Sequence, residues 1–203
     1  IEPHDSVERY ESLGVDCEIG RGKILSPYHV EVNGKILSTR NIIIATGAAP
    51  LVPPIEGLDQ VDYLTSDNLW DITELPKRLV VLGGGPIGTE LAQSFQRLGS
   101  DVTQVEMAPR ILIREDPEFS AMVQEALEGD GAQVKTGHLA KRVEVIGGEK
   151  VLITEAEGQE YQIPFDQLLV AVGRKANVTG FGLEELEVAI SDRGTVEVND
   201  YLQ

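Results

Sequence analysis

The sequence predicts a three-layer α/β fold that contains a βαβαβ unit and a β-meander. The first observation is an unbroken apolar run at residues 79–82, which is typical of a central parallel strand covered on both faces. The second is that two segments with helical spacing of apolar residues alternate with further strands after this run. The third is a set of short strands beyond residue 140 that are separated by glycine turns. Together these observations predict a Rossmann-like domain followed by a meander.

The region before this domain is predicted to form short strands and then a connector. Five segments have the composition or alternation of strands, and they are residues 15–19, 23–25, 29–32, 35–38 and 41–45. Asn33 and Gly34 predict a hairpin turn between the third and the fourth of them. Three prolines at residues 50–54 then interrupt regular structure, so residues 51–76 are expected to be a connector with one short helix near residues 66–70.

The βαβαβ unit has recognisable starts and stops. Its first helix is predicted to begin near Pro86 and to end at Gly99, and its second to begin near Pro117 and to end at Gly129. The further strands of the domain and the tail are predicted at residues 101–106, 133–136, 141–146, 150–156, 159–163, 168–172 and 194–198.

A glycine-rich turn joins the first strand of the unit to its first helix. Gly83, Gly85 and Gly88 have the spacing Gly-x-Gly-x-x-Gly. The first glycine permits a tight turn, the second lets the backbone approach a pyrophosphate, and the third allows the helix to pack closely on the strand. The helix that follows directs its free N–H groups and the positive end of its dipole at the phosphates. The turn therefore predicts a dinucleotide ligand.

Glu106 supplies a second feature of such a site. It ends the second strand, 18 positions after Gly88, close to the offset of about 20 residues at which an acid holds the adenine-ribose 2′-hydroxyl. A carboxylate accepts a hydrogen bond from this hydroxyl and repels a 2′-phosphate, so we expect NAD(H) in preference to NADP(H). The alternative interpretation is a glycine-rich turn with an unrelated surface glutamate. The order of strand, glycines, helix, strand and acid favours the dinucleotide site.

Composition excludes several classes of function. The chain has 203 residues, of which 41% are hydrophobic and 25% are charged, as expected for one large globular domain or two small ones. Its net charge of −17 argues against nucleic acid as a partner, and it lacks the run of 18 apolar residues that would predict a membrane span. Cys17 is the single cysteine, which favours a reducing compartment and hence the cytoplasm. We expect it to be a buried thiol on a strand.

Four motifs in this order resemble the FAD- and pyridine-nucleotide-dependent disulfide oxidoreductases, which include dihydrolipoyl dehydrogenase, glutathione reductase and mercuric reductase. They are Ala45-Thr46-Gly47, residues 83–90, Val105-Glu106, and residues 171–174 with Asn177. The resemblance covers essentially the whole chain but only the middle of the family. The family's flavin-binding fingerprint and Cys-x-x-x-x-Cys pair, and its C-terminal dimerisation domain with a His/Glu pair, are not in this sequence. We therefore expect the chain to be a fragment of a larger flavoenzyme.

The resemblance also implies roles for individual residues. The residues that would line the pyrophosphate site of a nicotinamide dinucleotide are Gly83, Gly84, Gly85, Pro86, Ile87 and Gly88. Gly173 would pass close to the nicotinamide. Glu90 is either a carboxylate near the nicotinamide or an ordinary acid of the first helical turn, favoured by the helix dipole. Gly22, Thr46 and Gly47 resemble FAD-contacting positions, but we expect this chain alone not to retain FAD, because half of that flavin site is missing.

The same resemblance implies a domain organisation. Residues 1–50 would be a partial FAD-domain segment, 51–76 a connector, 77–177 the NAD(P)-binding domain and 178–203 a return segment toward the FAD domain. The intact enzyme would be a homodimer formed through its C-terminal domain. No residue of this chain is predicted to be catalytic or to bind a metal, so the fragment alone is expected to be inactive.

Three functions remain open at this point. The first is the NADH-docking region of a flavoprotein disulfide oxidoreductase, in which NADH reduces FAD and electrons pass to a disulfide or metal-ion substrate. The second is the same region of a flavoprotein NADH oxidase or flavin reductase without a cysteine pair. The third is a dinucleotide-binding module with no catalytic activity.

Overall fold

The computed structural model describes residues 2–203, with side chains from residue 4 onward. The chain forms two compact units. The first contains the chain up to Gly47 and its return from Ala176 to Gln203, and the second contains Ala48–Lys175.

The first unit is built on a three-stranded antiparallel sheet. Its helices and strands are α1 (Glu2–Asp5), α2 (Val7–Ser12), β1 (Gly22–Ser26), β2 (His29–Val32) and β3 (Lys35–Ser38), with β2 in the centre of the sheet. Asn33 and Gly34 both have positive φ and form the turn between β2 and β3, as predicted. The backbone N–H of Ile24 donates to the carbonyl of Phe181 (2.8 Å), which ties the returning segment to the sheet.

Two strands predicted in this unit, at residues 15–19 and 41–45, are not formed. Neither segment pairs through its backbone with another strand in the part of the chain that is described. Ile19 is 75% exposed and Ile43 is 91% exposed. An apolar or alternating pattern does not make a strand unless a neighbour accepts its backbone hydrogen bonds. Cys17, predicted to be a buried thiol on a strand, is half-buried in this irregular segment.

The strand predicted at residues 194–198 is also wrong. Only a single bridge, between Ile190 and Val196, forms there. The N–H of Ser191 donates to the carbonyl of Thr195 at 2.8 Å and the N–H of Glu197 to the carbonyl of Ala189 at 2.9 Å, so the two arms of this loop meet in a short turn and not in a strand ladder.

The second unit confirms the predicted Rossmann-like α/β fold. Its strands and helices are β4 (Ala48–Pro50), β5 (Tyr63–Leu64), β6 (Arg78–Leu82), α3 (Pro86–Leu98), β7 (Asp101–Glu106), α4 (Pro117–Gly129), β8 (Gln133–Thr136), β9 (Leu139–Ile146), β10 (Glu149–Ala156), β11 (Gln159–Phe165), β12 (Gln167–Val170) and β13 (Arg174–Ala176). The parallel sheet has the order β5-β12-β6-β7-β8, and the meander has the order β11-β10-β9. β4 and β13 form a separate two-stranded sheet. The short helix predicted near residues 66–70 is a single 3₁₀ turn at Leu69–Asp71.

Two apolar cores give this unit its three layers. Alternate residues of β6 point to opposite faces of the sheet, so Leu79 and Val81 pack with Phe95 of α3 and Leu127 of α4 on one side. The core on the other face is formed with the meander, and its members include Val80, Leu82, Val105, Val143, Leu152 and Ile163. The sheet is therefore buried on both faces, as the apolar run at residues 79–82 predicts.

The ends of α3 follow from its sequence. Pro86 occupies the first turn, where a backbone N–H would have no acceptor within the helix, so proline loses no hydrogen bond there. Gly99 ends the helix in a left-handed conformation (φ 110°), and its N–H donates to the carbonyl of Gln96 at 3.1 Å. The start of this helix and the carboxyl ends of β6 and β7 thus lie together at one edge of the sheet.

Candidate functional site

The glycine turn between β6 and α3 is shaped by contacts within the chain at two of its positions. Gly83 has φ 117°, and a Cβ there would collide with the backbone carbonyl of Ala171. A Cβ at Gly88 would collide with the carbonyl of Gly83. The N–H of Gly83 donates to the carbonyl of Val105 at 2.8 Å, which joins the turn to the next strand. Packing of the chain therefore requires glycine at positions 83 and 88.

Gly85 differs from these two glycines. Its φ is −76°, which any residue adopts, and a Cβ there would meet no atom of the chain within 4 Å. Neither a clash within the chain nor the backbone angle requires glycine at this position, whereas a ligand lying against the backbone would. The Thr89 N–H donates to the Gly85 carbonyl at 2.9 Å, so the N–H groups of Ile87 and Gly88 lie in the first turn, where a helix leaves its donors unpaired. Open space, free donors and the helix dipole fit a pyrophosphate.

Glu106 lies at the end of β7 with its carboxylate against the turn. Its Oε2 accepts from the Gly84 N–H at 2.5 Å, and its Oε1 accepts from the Ala108 N–H at 2.7 Å. A Cβ at Gly84 would stand 2.9 Å from Cγ and from Oε2 of Glu106, so this contact explains the glycine at 84. Each carboxylate oxygen keeps a further lone pair, and the half-buried side chain can accept hydrogen bonds from ribose hydroxyls.

The loop after β7 is fixed to the same turn. The N–H of Leu112 donates to the carbonyl of Gly84 at 2.7 Å. Arg110 donates from Nη1 to the carbonyl of Leu112 (3.0 Å) and from Nη2 to the carbonyl of Ile113 (2.9 Å). Arg110 is the first cationic residue after Glu106, and its guanidinium thus binds carbonyls of its own loop.

The motif at residues 171–174 lies beside the glycine turn, although it follows the turn by more than eighty residues in sequence. The N–H of Ala171 donates to the carbonyl of Leu82 at 2.8 Å. A Cβ added at Gly83 would collide with the Ala171 carbonyl. Gly173 is exposed with φ 143°, and its carbonyl accepts from the N–H of Leu51 at 2.9 Å. The structure thus brings the motif at residues 171–174 together with the glycine turn.

The side chains of α3 that are predicted to lie near the dinucleotide are exposed. Pro86 and Ile87 are exposed in the first turn of α3, and Ile87 is 37% exposed. Glu90 is exposed one turn further along the helix, and its carbonyl accepts from the hydroxyl of Ser94 at 2.7 Å.

The residues that resemble flavin-contacting positions lie in the first unit. Thr46 donates from Oγ1 to the carbonyl of Asn177 at 2.7 Å, and Asn177 donates from Nδ2 to the carbonyl of Thr46 at 2.9 Å. The N–H of Asn177 donates to the carbonyl of Gly47 at 3.0 Å, so two motifs separated by 131 positions meet. Gly22 is half-buried in β1 opposite Val32, and no hydrogen bond joins it to Thr46 or Gly47 among the described residues.

Gln104 is a site residue that the sequence analysis missed. It lies in the middle of β7 and is fully buried. Its Nε2 donates to the carbonyl of Gly83 (3.0 Å) and to Oγ1 of Thr89 (3.1 Å). The signal in the sequence was a long polar side chain between two valines of the strand, Val102 and Val105, which are both fully buried.

The opposite edge of the sheet, where the strands begin, holds a cavity of about 210 Å³. Its lining includes Arg78, Asp101, Gln133, Lys135 and Gln162. Hydrogen bonds from Arg78 at this edge hold the pKa of Asp166 below its usual range; Arg78 donates from Nη2 at 2.7 Å and from its backbone N–H at 2.9 Å. No group of three potential metal ligands is found among the described residues, and none of their helices has the length and apolar character needed to cross a membrane.

Comparisons with known proteins identify relatives of the chain. Residues 5–203 match the family model of pyridine nucleotide-disulphide oxidoreductase. A mercuric reductase from Staphylococcus aureus is 38% identical over 197 residues, covering 97% of this chain and 36% of that protein. A dihydrolipoyl dehydrogenase from Thermus scotoductus is 38% identical over 202 residues, covering 92% of this chain and 41% of that protein. Among solved structures, the HOCl-induced flavoprotein disulfide reductase RclA from Escherichia coli matches with a TM-score of 0.80 and 28% identity, covering 95% of this chain and 45% of that one. The chain spans less than half the length of these relatives.

Proposed function

Because the chain belongs to the pyridine nucleotide-disulphide oxidoreductase family, we propose that its second unit docks NADH for a flavin carried by the intact protein. The observation that carries the proposal is Gly85, where the chain leaves open space beside the backbone and neither a clash nor the φ angle requires a glycine. The proposal treats residues 77–177 as the NAD(P)-binding domain, 51–76 as a connector, and 1–50 with 178–203 as the part that belongs to an FAD-binding domain.

In this proposal the turn binds the pyrophosphate through backbone donors. The N–H groups of Gly85, Ile87 and Gly88 would meet the phosphate oxygens, with the dipole of α3 adding to the attraction. Gly83 and Gly84 shape the turn, and Pro86 begins the helix without contributing a donor. The net charge of −17 does not oppose this binding, because the local donors and the helix terminus decide the field at the phosphates.

Glu106 would select NADH over NADPH. Its carboxylate is held beside the turn by the N–H groups of Gly84 and Ala108. A 2′-hydroxyl can donate to its remaining lone pairs, whereas a 2′-phosphate would bring two negative groups together. Arg110 supports this preference, because its two Nη groups bind the carbonyls of the loop.

The nicotinamide end of the site would lie toward Gly173 and the exposed Glu90. Gly173 has no side chain to obstruct a ring. Bound NADH supplies a hydride, and the part of this chain is to hold the dinucleotide so that its nicotinamide is presented to the flavin. Replacing Glu90 by Gln separates its two interpretations, because a carboxylate near the nicotinamide would change the affinity for NADH more than the affinity for ADP-ribose.

The activity of the whole protein is a further part of the proposal. We place Thr46, Gly47 and Gly22 in its FAD-binding domain, expect this chain alone not to retain FAD, and expect a cytoplasmic homodimer that reduces a disulfide or a metal ion. The names of the relatives support this substrate class, since they include mercuric reductase and dihydrolipoyl dehydrogenase. A Cys-x-x-x-x-Cys pair in the flanking sequence of the gene would support a disulfide oxidoreductase. Its absence would favour a flavoprotein NADH oxidase or flavin reductase.

The docking function is tested by titrating the full chain with NADH and following nicotinamide fluorescence. We expect saturable binding that ADP-ribose displaces, because ADP-ribose carries the pyrophosphate and the ribose that the turn and Glu106 would bind. Nicotinamide mononucleotide lacks the pyrophosphate and the adenine ribose, and it serves as the control that should displace NADH poorly. Binding that ADP-ribose leaves unchanged would contradict the proposal.

A further inference from the structure

A buried amide lies beneath the glycine turn and has no role in the function proposed so far. Gln104 is 0% exposed. Burying an amide is costly unless its hydrogen-bonding groups find partners. The Oε1 atom of Gln104 is the single buried side-chain oxygen or nitrogen without a hydrogen-bond partner in the part of the chain that is described. An apolar residue of the same length would avoid this cost but would take from the buried Gly83 carbonyl the donor that Gln104 supplies, so the glutamine serves the position of that carbonyl.

The two donors of this amide are both directed at the turn. Nε2 donates to the carbonyl of Gly83 at 3.0 Å and to Oγ1 of Thr89 at 3.1 Å. The carbonyl of Gly83 can only accept, so it fixes the orientation of the amide with the NH₂ group facing the turn. The hydroxyl of Thr89 then donates to the carbonyl of Gly84 at 3.4 Å.

These contacts control two successive peptide groups. The carbonyl of Gly83 and the N–H of Gly84 belong to one planar peptide, and Gln104 holds its oxygen while Glu106 holds its N–H at 2.5 Å. The carbonyl of Gly84 and the N–H of Gly85 belong to the next peptide. Its oxygen accepts from the N–H of Leu112 at 2.7 Å and, over a longer 3.4 Å contact, from the hydroxyl of Thr89. The direction of the Gly85 N–H therefore depends on a network that begins at Gln104.

We propose that Gln104 is a positioning residue that sets the two peptide planes of the glycine turn and so aligns the Gly85 N–H with the dinucleotide pyrophosphate. The proposal rests on the function proposed above. It assigns to Thr89 the role of relaying this alignment from Gln104 to Gly84. The unpaired Oε1 is the cost of keeping both amide donors on the turn.

The test compares Gln104→Met with a matched control, Gln96→Met, in the full chain. Gln96 lies at the other end of α3, where its Oε1 accepts from the N–H of Val102 at 3.0 Å. We expect Gln104→Met to weaken the binding of both NADH and ADP-ribose about tenfold, the loss expected for one misaligned hydrogen bond to a charged group, and to lower the midpoint of thermal unfolding about as much as Gln96→Met does, because each variant removes the partner of a backbone group. Gln96→Met should lower the midpoint and leave the affinity unchanged.

A second pair of variants keeps the test decisive if Gln104→Met fails to fold. Thr89→Ser retains the hydroxyl and should bind NADH like the unmodified chain, whereas Thr89→Val should bind it about tenfold more weakly. Equal NADH affinity in Gln104→Met and the unmodified chain would overturn the inference and leave the docking function standing. Equal weakening in Gln96→Met, or in Thr89→Ser and Thr89→Val, would also overturn it. If the unmodified chain itself does not bind NADH, the docking function fails and this inference fails with it.

Discussion

Replacing Gly85 by Ala is the sharpest perturbation of the glycine turn, because it separates binding from folding. A Cβ at Gly85 would meet no atom of the chain within 4 Å, and φ there is −76°. An alanine at position 83 would place its Cβ against the Ala171 carbonyl and would have to adopt φ 117°. Gly85→Ala should therefore fold normally and lose NADH, whereas Gly83→Ala should lose stability first.

The magnitudes follow from these two environments. At position 85, alanine is a poorer N-cap than glycine by about 1 kcal/mol, but it lowers the entropy of the unfolded chain by an opposing ~0.4–1 kcal/mol. The net change should be below about 1 kcal/mol, or a shift in the unfolding midpoint of roughly 2–4 °C at most. At position 83 the left-handed conformation alone costs about 1–2 kcal/mol, and the collision with a backbone carbonyl adds to it.

The binding cost at position 85 is set by what the new methyl group displaces. A pyrophosphate moved away from the turn loses at least one charge-assisted hydrogen bond, worth about 1.5–3 kcal/mol, so the affinity for NADH should fall by roughly 10- to 100-fold. Nicotinamide fluorescence measures this affinity, and scanning calorimetry measures the midpoint. Unchanged NADH affinity in Gly85→Ala, or a loss of stability as large as that of Gly83→Ala, would show that Gly85 does not contact the dinucleotide as proposed.

Three further perturbations test the cofactor preference and the scaffold. Glu106→Arg should narrow or reverse the preference for NADH over NADPH, a change of about tenfold or more in the ratio of the two dissociation constants, because it replaces the repelling carboxylate with a cation. Asp166→Asn should lower the unfolding midpoint at pH 7: Arg78 depresses the pKa of Asp166, so its stabilising contribution is present above its ordinary pKa and is lost as the pH falls through the lowered value. Leu169→Ala should destabilise the second unit by about 2–5 kcal/mol, since this leucine is 0% exposed in β12, a strand with a neighbour on each side, and denaturant unfolding measures the loss.

Each of these expectations has a result that contradicts it. Equal affinity of the unmodified chain for NADH and NADPH would remove the basis of the Glu106 prediction. For Asp166→Asn, thermal midpoints are compared with those of the unmodified chain from pH 7 down to pH 2, and a difference that does not shrink on acidification would contradict the ion pair. A loss below 1 kcal/mol in Leu169→Ala would contradict its position in the core.

The glycine turn and the acid at the end of the next strand, Glu106, were predictable because both are local features of the sequence. The spacing of Gly83, Gly85 and Gly88 and the end of the second strand are determined by a few neighbouring residues. The strand predicted at residues 41–45 failed because a strand also needs a neighbouring strand, and a one-dimensional pattern does not report whether one is present. The strand predicted at residues 15–19 failed for the same reason.

The reasons for individual site residues were less accessible from the sequence. Gly84 is glycine because the side chain of Glu106, 22 positions later, occupies the space of a Cβ. Gln104 looked like one of several polar residues in β7, and its contacts with Gly83 and Thr89 depend on the way β6, β7 and α3 pack. Such roles arise from pairs of residues that are distant in sequence, and they become visible only when the fold brings those residues together.

The location of bound NADH tests the central claim most directly. Amide resonances of the ¹⁵N-labelled full chain would be followed during titration with NADH. We expect the largest shifts on the N–H groups of Gly85, Ile87 and Gly88, at the carboxyl edge of the parallel sheet. Shifts confined to the opposite edge, around Lys135 and Gln162 in the 210 Å³ cavity, or no shifts at saturating NADH, would contradict it.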